Sequence, residues 1–143
     1  MTLVDTNVLL DLVTNDPNWA DWSIAQLEAQ SLNGPLLIND AVYAELAVRY
    51  GRIEDLDAFL DKAGLEIASM PRAALFLAGK VFTQYRRSGG LRSGVLPDFF
   101  IGAHAAVNGL PLLTRDVGRY RTYFPSLKLI APNFVNSPPN RVS

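Results

Sequence analysis

The segment VLPDFFIGAHAAVNGLPLLTRD (residues 95–116) contains the longest apolar run of the chain. The run approaches the length of a membrane-spanning helix, which needs about 20 apolar residues. Five residues that break or polarise such a helix interrupt it, namely Pro97, Asp98, Asn108, Gly109 and Pro111. Proline near a helix start and glycine after its last residue are typical helix boundaries. The segment therefore predicts a helix between Pro97 and Gly109, a turn and a buried strand, and it excludes a membrane span.

The same alternation of short apolar runs with helical patterns extends over the rest of the chain. The expected strands are LV (3–4), LLI (36–38), LEIA (65–68), PLLT (111–114) and LKLIA (127–131). Helical patterns lie between them, including one that begins at Asn39 or Asp40 and is expected to run to Gly51. Continuously apolar strands separated by helices are typical of a parallel sheet covered on both faces. The sequence thus predicts an α/β fold with a mainly parallel sheet of about five strands.

Composition limits the classes of function. The 143 residues fit one domain, and the absence of cysteine excludes disulfides and Cys-based zinc or redox sites. No signal peptide precedes Leu3, so we expect the protein in the cytoplasm. The tail, residues 133–143, contains NSPPNRVS and is predicted to be disordered, which leaves 1–132 as the folded domain.

The net charge of −1 conceals an uneven distribution of charged residues. Residues 1–70 carry a charge of −9 and residues 71–143 a charge of +8. A basic half indicates a polyanionic partner, whereas a fold that interleaves the two halves would cancel the asymmetry. Charge alone leaves both interpretations open.

Four acids occupy positions where a carboxylate can serve either the fold or the chemistry. Asp5, Asp98 and Asp116 lie near helix starts, where a carboxylate caps the helix and complements its dipole. Glu45 precedes Arg49 by four residues, which favours an exposed ion pair. Taken singly, each acid is explained by its local role.

Taken together, the four acids indicate a metal site. Asp98 and Asp116 are the only acids in residues 71–143, and Asp98 has no base within five residues. Asp5 and Asp116 each follow a predicted strand, at the sheet edge where ligands bind in such folds. Acids that converge there would repel one another unless a cation lay among them. Oxygen ligands without cysteine, and with a single histidine, favour Mg²⁺ or Mn²⁺ over zinc.

Four segments then occur in order along nearly the whole chain: LVDTNVLLDL (3–12), INDAVYAELAVRYG (38–51), VLPDFFIGAHAAVNGLPLLTRD (95–116) and RYRTYFPSLKLIAP (119–132). Together they resemble a PIN domain, and more narrowly the VapC-type ribonuclease toxins of bacterial toxin–antitoxin pairs. The resemblance implies a three-layer α/β/α sandwich and a Mg²⁺-dependent endoribonuclease in which Mn²⁺ can substitute. It also implies single-stranded or looped RNA as substrate, a cognate antitoxin protein as partner, and a homodimer.

The resemblance assigns roles residue by residue. The four metal-binding and catalytic acids correspond to Asp5, Glu45, Asp98 and Asp116. Asn7 and Thr114 correspond to the polar residues that orient them. Some relatives carry a further acid beyond the fourth, but Val117, Gly118 and Arg119 occupy that stretch here, which puts a second metal in doubt.

Basic and aromatic residues are candidates for holding the substrate. Arginine suits bidentate contact with phosphate, and we expect Arg92 and Arg115 to make such contacts. Other bases near the glycine loop or the fourth acid stay unassigned, namely Arg86, Arg87, Arg119 and Arg121. Tyrosines at 85, 120 and 123 could stack on bases or pack in the core. His104, among alanines on the predicted helix, is expected to pack rather than to bind metal.

Two other functions stay open on the sequence alone. A metal-dependent phosphotransfer enzyme also uses acids at the sheet edge, although Asn7 stands where a haloacid-dehalogenase phosphatase needs a second aspartate. A non-catalytic PIN-like module that binds RNA or protein is the second alternative. Such modules usually lose acids, whereas this chain has all four.

Overall fold

The computed structural model describes residues 1–92 and 95–132. The described residues form a sheet of five short strands: β1 (Thr2–Val4), β2 (Leu36–Ile38), β3 (Leu65–Ile67), β4 (Leu112–Leu113) and β5 (Leu129–Ile130). The helices between them are α1 (Thr6–Val13), α2 (Ala20–Ser31), α3 (Asp40–Ala47), α4 (Ile53–Ala63), α5 (Arg72–Arg87), α6 (Leu96–Asn108) and α7 (Gly118–Tyr123). The predicted number and order of strands are confirmed.

The sheet is parallel throughout, with the strand order β3-β2-β1-β4-β5. From β1 the chain moves outward to β2 and β3, then returns to the other side of β1 for β4 and β5. Because such crossovers are right-handed, helices α1–α4 and α5–α7 belong to opposite faces of the sheet. This is the predicted three-layer α/β/α sandwich. The order reverses between β1 and β4, so the binding crevice of the fold is expected beyond their carboxyl ends.

The inner strands and α6 form the centre of the core. Leu3 and Val4 of β1, and Leu112 and Leu113 of β4, have no exposed surface. This explains why these strands are continuously apolar rather than alternating. Helix α6 packs so closely on the end of α7 that a Cβ at Gly102 would lie 2.5 Å from the ring of Phe124.

Glycines end two of the helices as expected. Gly64 and Gly109 adopt left-handed backbone conformations directly after α4 and α6, with φ of 73° and 64°. The prediction that the helix after β2 runs to Gly51 was wrong, because α3 ends at Ala47. The amide of Arg49 bonds to the carbonyl of Leu46, and the next amide follows the same three-residue spacing. The chain therefore tightens into turns before it reaches the glycine.

Some sequence predictions fall on residues that the structure does not describe. The tail at 133–143, predicted to be disordered, lies outside the described residues, as do Ser93 and Gly94 of the glycine-rich loop. In the described part of the chain, no helix combines the length and apolar character needed to cross a membrane.

Candidate metal centre

Four acids from separate parts of the chain meet near the carboxyl ends of β1 and β4. Asp5 directly follows β1, and Asp116 lies three residues beyond β4. Glu45 lies in α3, and Asp98 lies in the first turn of α6. We call these four residues the acid cluster. Asp5 is buried, Glu45 and Asp98 are half-buried, and Asp116 is exposed, so the cluster runs from the interior to the surface.

Asp5 is the buried end of the cluster and is held by several donors. Its Oδ1 accepts a 2.7 Å hydrogen bond from the backbone N–H of Thr6, so it caps α1. Its Oδ2 accepts hydrogen bonds from the hydroxyls of Thr114, at 2.7 Å, and Tyr120, at 3.0 Å. Asp5 is therefore a helix cap as well as a member of the cluster, and the two interpretations of this residue are compatible.

The electrostatics of Asp5 and Asp98 show that the acids influence one another. The pKa of Asp5 is raised to about 7, mainly by burial; the hydrogen bond from Thr114 lowers it, and the charge of Asp98 contributes to the rise. Burial also raises the pKa of Asp98, and the charges of Glu45 and Asp116 add to this effect, while Arg119 opposes it. Ionised carboxylates in this arrangement are costly unless a cation compensates them.

Asn7 and Thr114 connect the first and last acids. The Thr114 hydroxyl accepts a 3.0 Å bond from the backbone N–H of Asp116 while it donates to Asp5. The Asn7 side chain lies 3.4 Å from both Thr114 Oγ1 and Asp5 Oδ2, and it accepts from the Arg115 backbone. Both residues lie where the resemblance implied polar companions of the acids.

Glu45 is held by α1 rather than by its own helix. Its Oε1 accepts a 2.6 Å hydrogen bond from the hydroxyl of Thr6. Among the described residues Glu45 forms no ion pair with Arg49. Thr6 thus fixes one oxygen of Glu45 with its hydroxyl and one oxygen of Asp5 with its backbone N–H.

Arg119 is the cation within the cluster. Its Nη1 donates to Oδ2 of Asp98 and lies 3.9 Å from Oδ2 of Asp116. Sequence reasoning left Arg119 unassigned, because a residue three positions after Asp116 is not expected from spacing to reach Asp98.

The two arginines expected to bind substrate differ in their surroundings. Arg115 forms a bidentate ion pair with Asp11 at 2.8 and 2.9 Å, and its guanidinium lies 4.8 Å from the ring centre of Trp19. Arg92 is exposed, and its backbone N–H lies 3.4 Å from the hydroxyl of Tyr85. Arg115 is therefore anchored by Asp11 of α1 and by Trp19, which directly precedes α2, whereas the Arg92 side chain is exposed.

The other candidate residues are exposed or pack in the core. Arg86, Arg87 and Arg121 are exposed. His104 is completely buried, as expected, and its Nδ1 lies 3.2 Å from Nδ2 of Asn39. Tyr85 and Tyr123 pack edge-to-face with ring centres 5.9 Å apart.

The donor set of the cluster fits a hard divalent ion. Its members offer only carboxylate oxygens, and burial and mutual repulsion make ionised Asp5 and Asp98 costly without a cation. Within residues 1–92 and 95–132, however, no three acids or histidines are close enough as they stand to hold a metal ion. Protein donors bond to oxygens of Asp5, Glu45 and Asp98, and Arg119 is the charged one among these donors.

The chain is similar in sequence and in fold to known proteins. The sequence profile of the PIN domain matches residues 2–125. The chain belongs to the PIN domain family. This match covers every member of the acid cluster and identifies the sandwich described above as a PIN domain.

Solved structures share the architecture of this PIN domain. One is VapBC2 from Rickettsia felis bound to a DNA fragment from its promoter, with a TM-score of 0.70, 23% identity, and coverage of 92% of this chain and 98% of that chain. Another is DNA-bound VapBC from Salmonella typhimurium, with a TM-score of 0.65, 22% identity, and coverage of 92% and 98%. A third is VapBC-1 from nontypeable Haemophilus influenzae, with a TM-score of 0.65, 18% identity, and coverage of 91% and 96%. At these identities the likeness concerns the fold. Comparison with curated proteins gave no significant match.

Proposed function

We propose that this PIN domain is a divalent-metal-dependent endoribonuclease that acts as the toxin of a toxin–antitoxin pair. The proposal rests chiefly on the position of the acid cluster. Its four members come from separate parts of the chain and lie near the ends of β1 and β4, where the strand order reverses. The coupling of Asp5 to Asp98, and of Asp98 to Glu45 and Asp116, supports it.

Asp5, Asp98 and Asp116 would hold the ion, and Glu45 would either bind it or orient the attacking water. When bound, Mg²⁺ or Mn²⁺ supplies Lewis-acid chemistry, since it lowers the pKa of water and offsets charge on a phosphodiester. Thr114 and Tyr120 orient Asp5 through its Oδ2, and Thr6 orients Glu45 through its Oε1. These hydroxyls preorganise the carboxylates, as residues around metal ligands commonly do.

We also propose Arg92 and Arg115 as phosphate contacts. Arg92 is exposed and available, and Arg115 lies between Thr114 and Asp116. Arg92→Gln should raise KM for RNA with little change in kcat, because it removes a binding contact that is not specific to the transition state. A fall in kcat at unchanged KM would contradict this role for Arg92.

Cleavage of RNA by the purified protein tests the nuclease. Wild type, Asp98→Asn and Asp21→Asn should be incubated with a structured RNA pool in Mg²⁺, Mn²⁺ or EDTA. Asp21 is an exposed acid of α2 and provides the matched control. We expect discrete cuts by wild type and Asp21→Asn, and none with Asp98→Asn or in EDTA. Folded wild type that cuts no RNA in either metal would favour the non-catalytic alternative.

Growth on expression tests the toxin role separately. The VapBC structures share the fold of this chain, and its partner protein and RNA target are proposals. Induced wild type should arrest a bacterial culture, and the protein encoded by an adjacent gene should relieve the arrest when co-expressed. Asp98→Asn should not arrest growth. Active nuclease in vitro without growth arrest would overturn the toxin role and leave the enzyme.

A further inference from the structure

Arg119 contributes a positive charge to the acid cluster. Arg119 is the second residue of α7 and follows Asp116 by three positions. Its side chain is 22% exposed. Its Nη1 bonds to Asp98 and lies 3.9 Å from Asp116, so one guanidinium faces two acids that come from different parts of the chain.

No second base shares this position in the described part of the chain. Arg115, the adjacent candidate, pairs with Asp11 instead, and the remaining ion pair, between Arg52 and Glu54, lies elsewhere on the surface. Arg119 alone therefore offsets the mutual repulsion of these carboxylates among the described residues. A divalent ion would perform the same task with twice the charge.

We infer that Arg119 and a divalent ion compete for Asp98 and Asp116, so that Arg119 is the counter-ion of the metal-free site and leaves when metal binds. The inference rests on the proposed function, since it concerns the same carboxylates. It adds that the chain sets its own metal affinity through a residue that is not a ligand.

The competition follows from the oxygens involved. Oδ2 of Asp98 already accepts an N–H of Arg119, and a metal ion cannot share that lone-pair direction with the hydrogen bond. The side chain of Arg119 is flexible and partly exposed, so its guanidinium can move into solvent without unfolding α7. Arg119 thus compensates part of the charge of Asp98 and Asp116 in the described part of the chain.

Direct binding of Mn²⁺ tests the inference without any activity measurement. Titration of wild type, Arg119→Gln and Arg121→Gln by calorimetry at pH 8 compares the competing cation with an exposed cation on the same helix. We expect Arg119→Gln to bind Mn²⁺ about fivefold more tightly than wild type, the gain available from releasing one partly exposed ion pair. Arg121→Gln should bind like wild type.

Thermal unfolding provides a second readout. In EDTA, Arg119→Gln should melt below wild type, because Asp98 and Asp116 lose their counter-ion, and saturating Mn²⁺ should raise its Tm more than that of wild type. Unchanged or weaker Mn²⁺ binding by Arg119→Gln, with wild type still binding, would overturn the competition and leave the proposed nuclease intact. Absence of Mn²⁺ binding by every variant would overturn both.

Discussion

The hydroxyl of Tyr120 donates a 3.0 Å hydrogen bond to Oδ2 of Asp5, which lies 115 positions earlier in the chain. This bond connects α7 to the end of β1, and it meets the bond from Thr114 on the same oxygen. Tyr120 is almost completely buried, and burial together with the charge of Asp5 raises the pKa of its hydroxyl. The hydroxyl therefore remains a donor, and two residues that follow β4, Thr114 and Tyr120, hold the innermost acid of the cluster at the end of β1.

Tyr120→Phe should destabilise the protein by about 1.5 kcal/mol, because a buried carboxylate loses a hydrogen-bond donor. Urea unfolding at pH 8.5, above the pKa of Asp5, measures the effect. Tyr123→Phe is the matched control, since Tyr123 lies in the same helix and its hydroxyl has no hydrogen bond among the described residues. Equal free energies of unfolding for the two variants would show that the Tyr120 bond contributes nothing.

Asp11→Ala should cost about 2–3 kcal/mol of stability, since it leaves the Arg115 guanidinium partly buried without its bidentate partner. The variant also removes the acceptor of the Ser23 hydroxyl. Glu54→Ala breaks an ion pair whose side chains are largely exposed and should have little measurable effect. Urea denaturation measures the free energy of unfolding of both variants. A similarly small decrease for each would contradict the anchoring role of Asp11.

Protonation of His104 should destabilise the fold. Burial lowers the pKa of His104 below its ordinary value of 6.5, against a smaller opposing effect of Asp40. The neutral ring is therefore favoured in the folded state, and its contribution to stability is lost as the pH falls through 6.5. The free energy of unfolding can fall by up to about 1.4 kcal/mol per pH unit when the unfolded state binds one more proton than the folded state.

The pH test for His104 needs a variant, because Asp5 titrates in the same range with the opposite sign. The pKa of Asp5 is raised to about 7, so protonation of Asp5 favours the fold as the pH falls. The difference in unfolding free energy between wild type and His104→Gln cancels the shared contribution of Asp5. As the pH falls from 7.5 to 5.5, the unfolding free energy of wild type should fall relative to that of His104→Gln. A constant difference would contradict the role given to His104.

Much of the fold could be predicted because its signals are local. Buried strands such as Leu36–Ile38 are continuously apolar, and Gly64 and Gly109 end their helices where a left-handed conformation is required. The end of α3 was missed because its last turns tighten at Leu46 and Ala47, and no residue type marks that change. Local propensity identifies an element more reliably than its boundary.

The site was less predictable, since its supporting contacts join residues that are distant in sequence. The four acids could be proposed from isolation, strand-end positions and the family resemblance. The roles of Thr6, Tyr120 and Arg119 depend on contacts across 39, 115 and 21 positions. The ion pair of Arg115 with Asp11 spans 104 positions and was likewise not predicted from the sequence, whereas its proposed phosphate contact rests on its adjacency to Asp116.

The measurement that tests the central claim most directly is the cleavage of an RNA that carries a single 2′-deoxy nucleotide at its mapped cut site. A metal-assisted site uses water as the nucleophile and does not need the neighbouring 2′-hydroxyl. We predict that wild type in Mg²⁺ cuts the substituted RNA at a rate close to that of the unmodified RNA, and that Asp98→Asn cuts neither. Cleavage that persists in EDTA and stops when the 2′-hydroxyl is removed would contradict hydrolysis by the acid cluster.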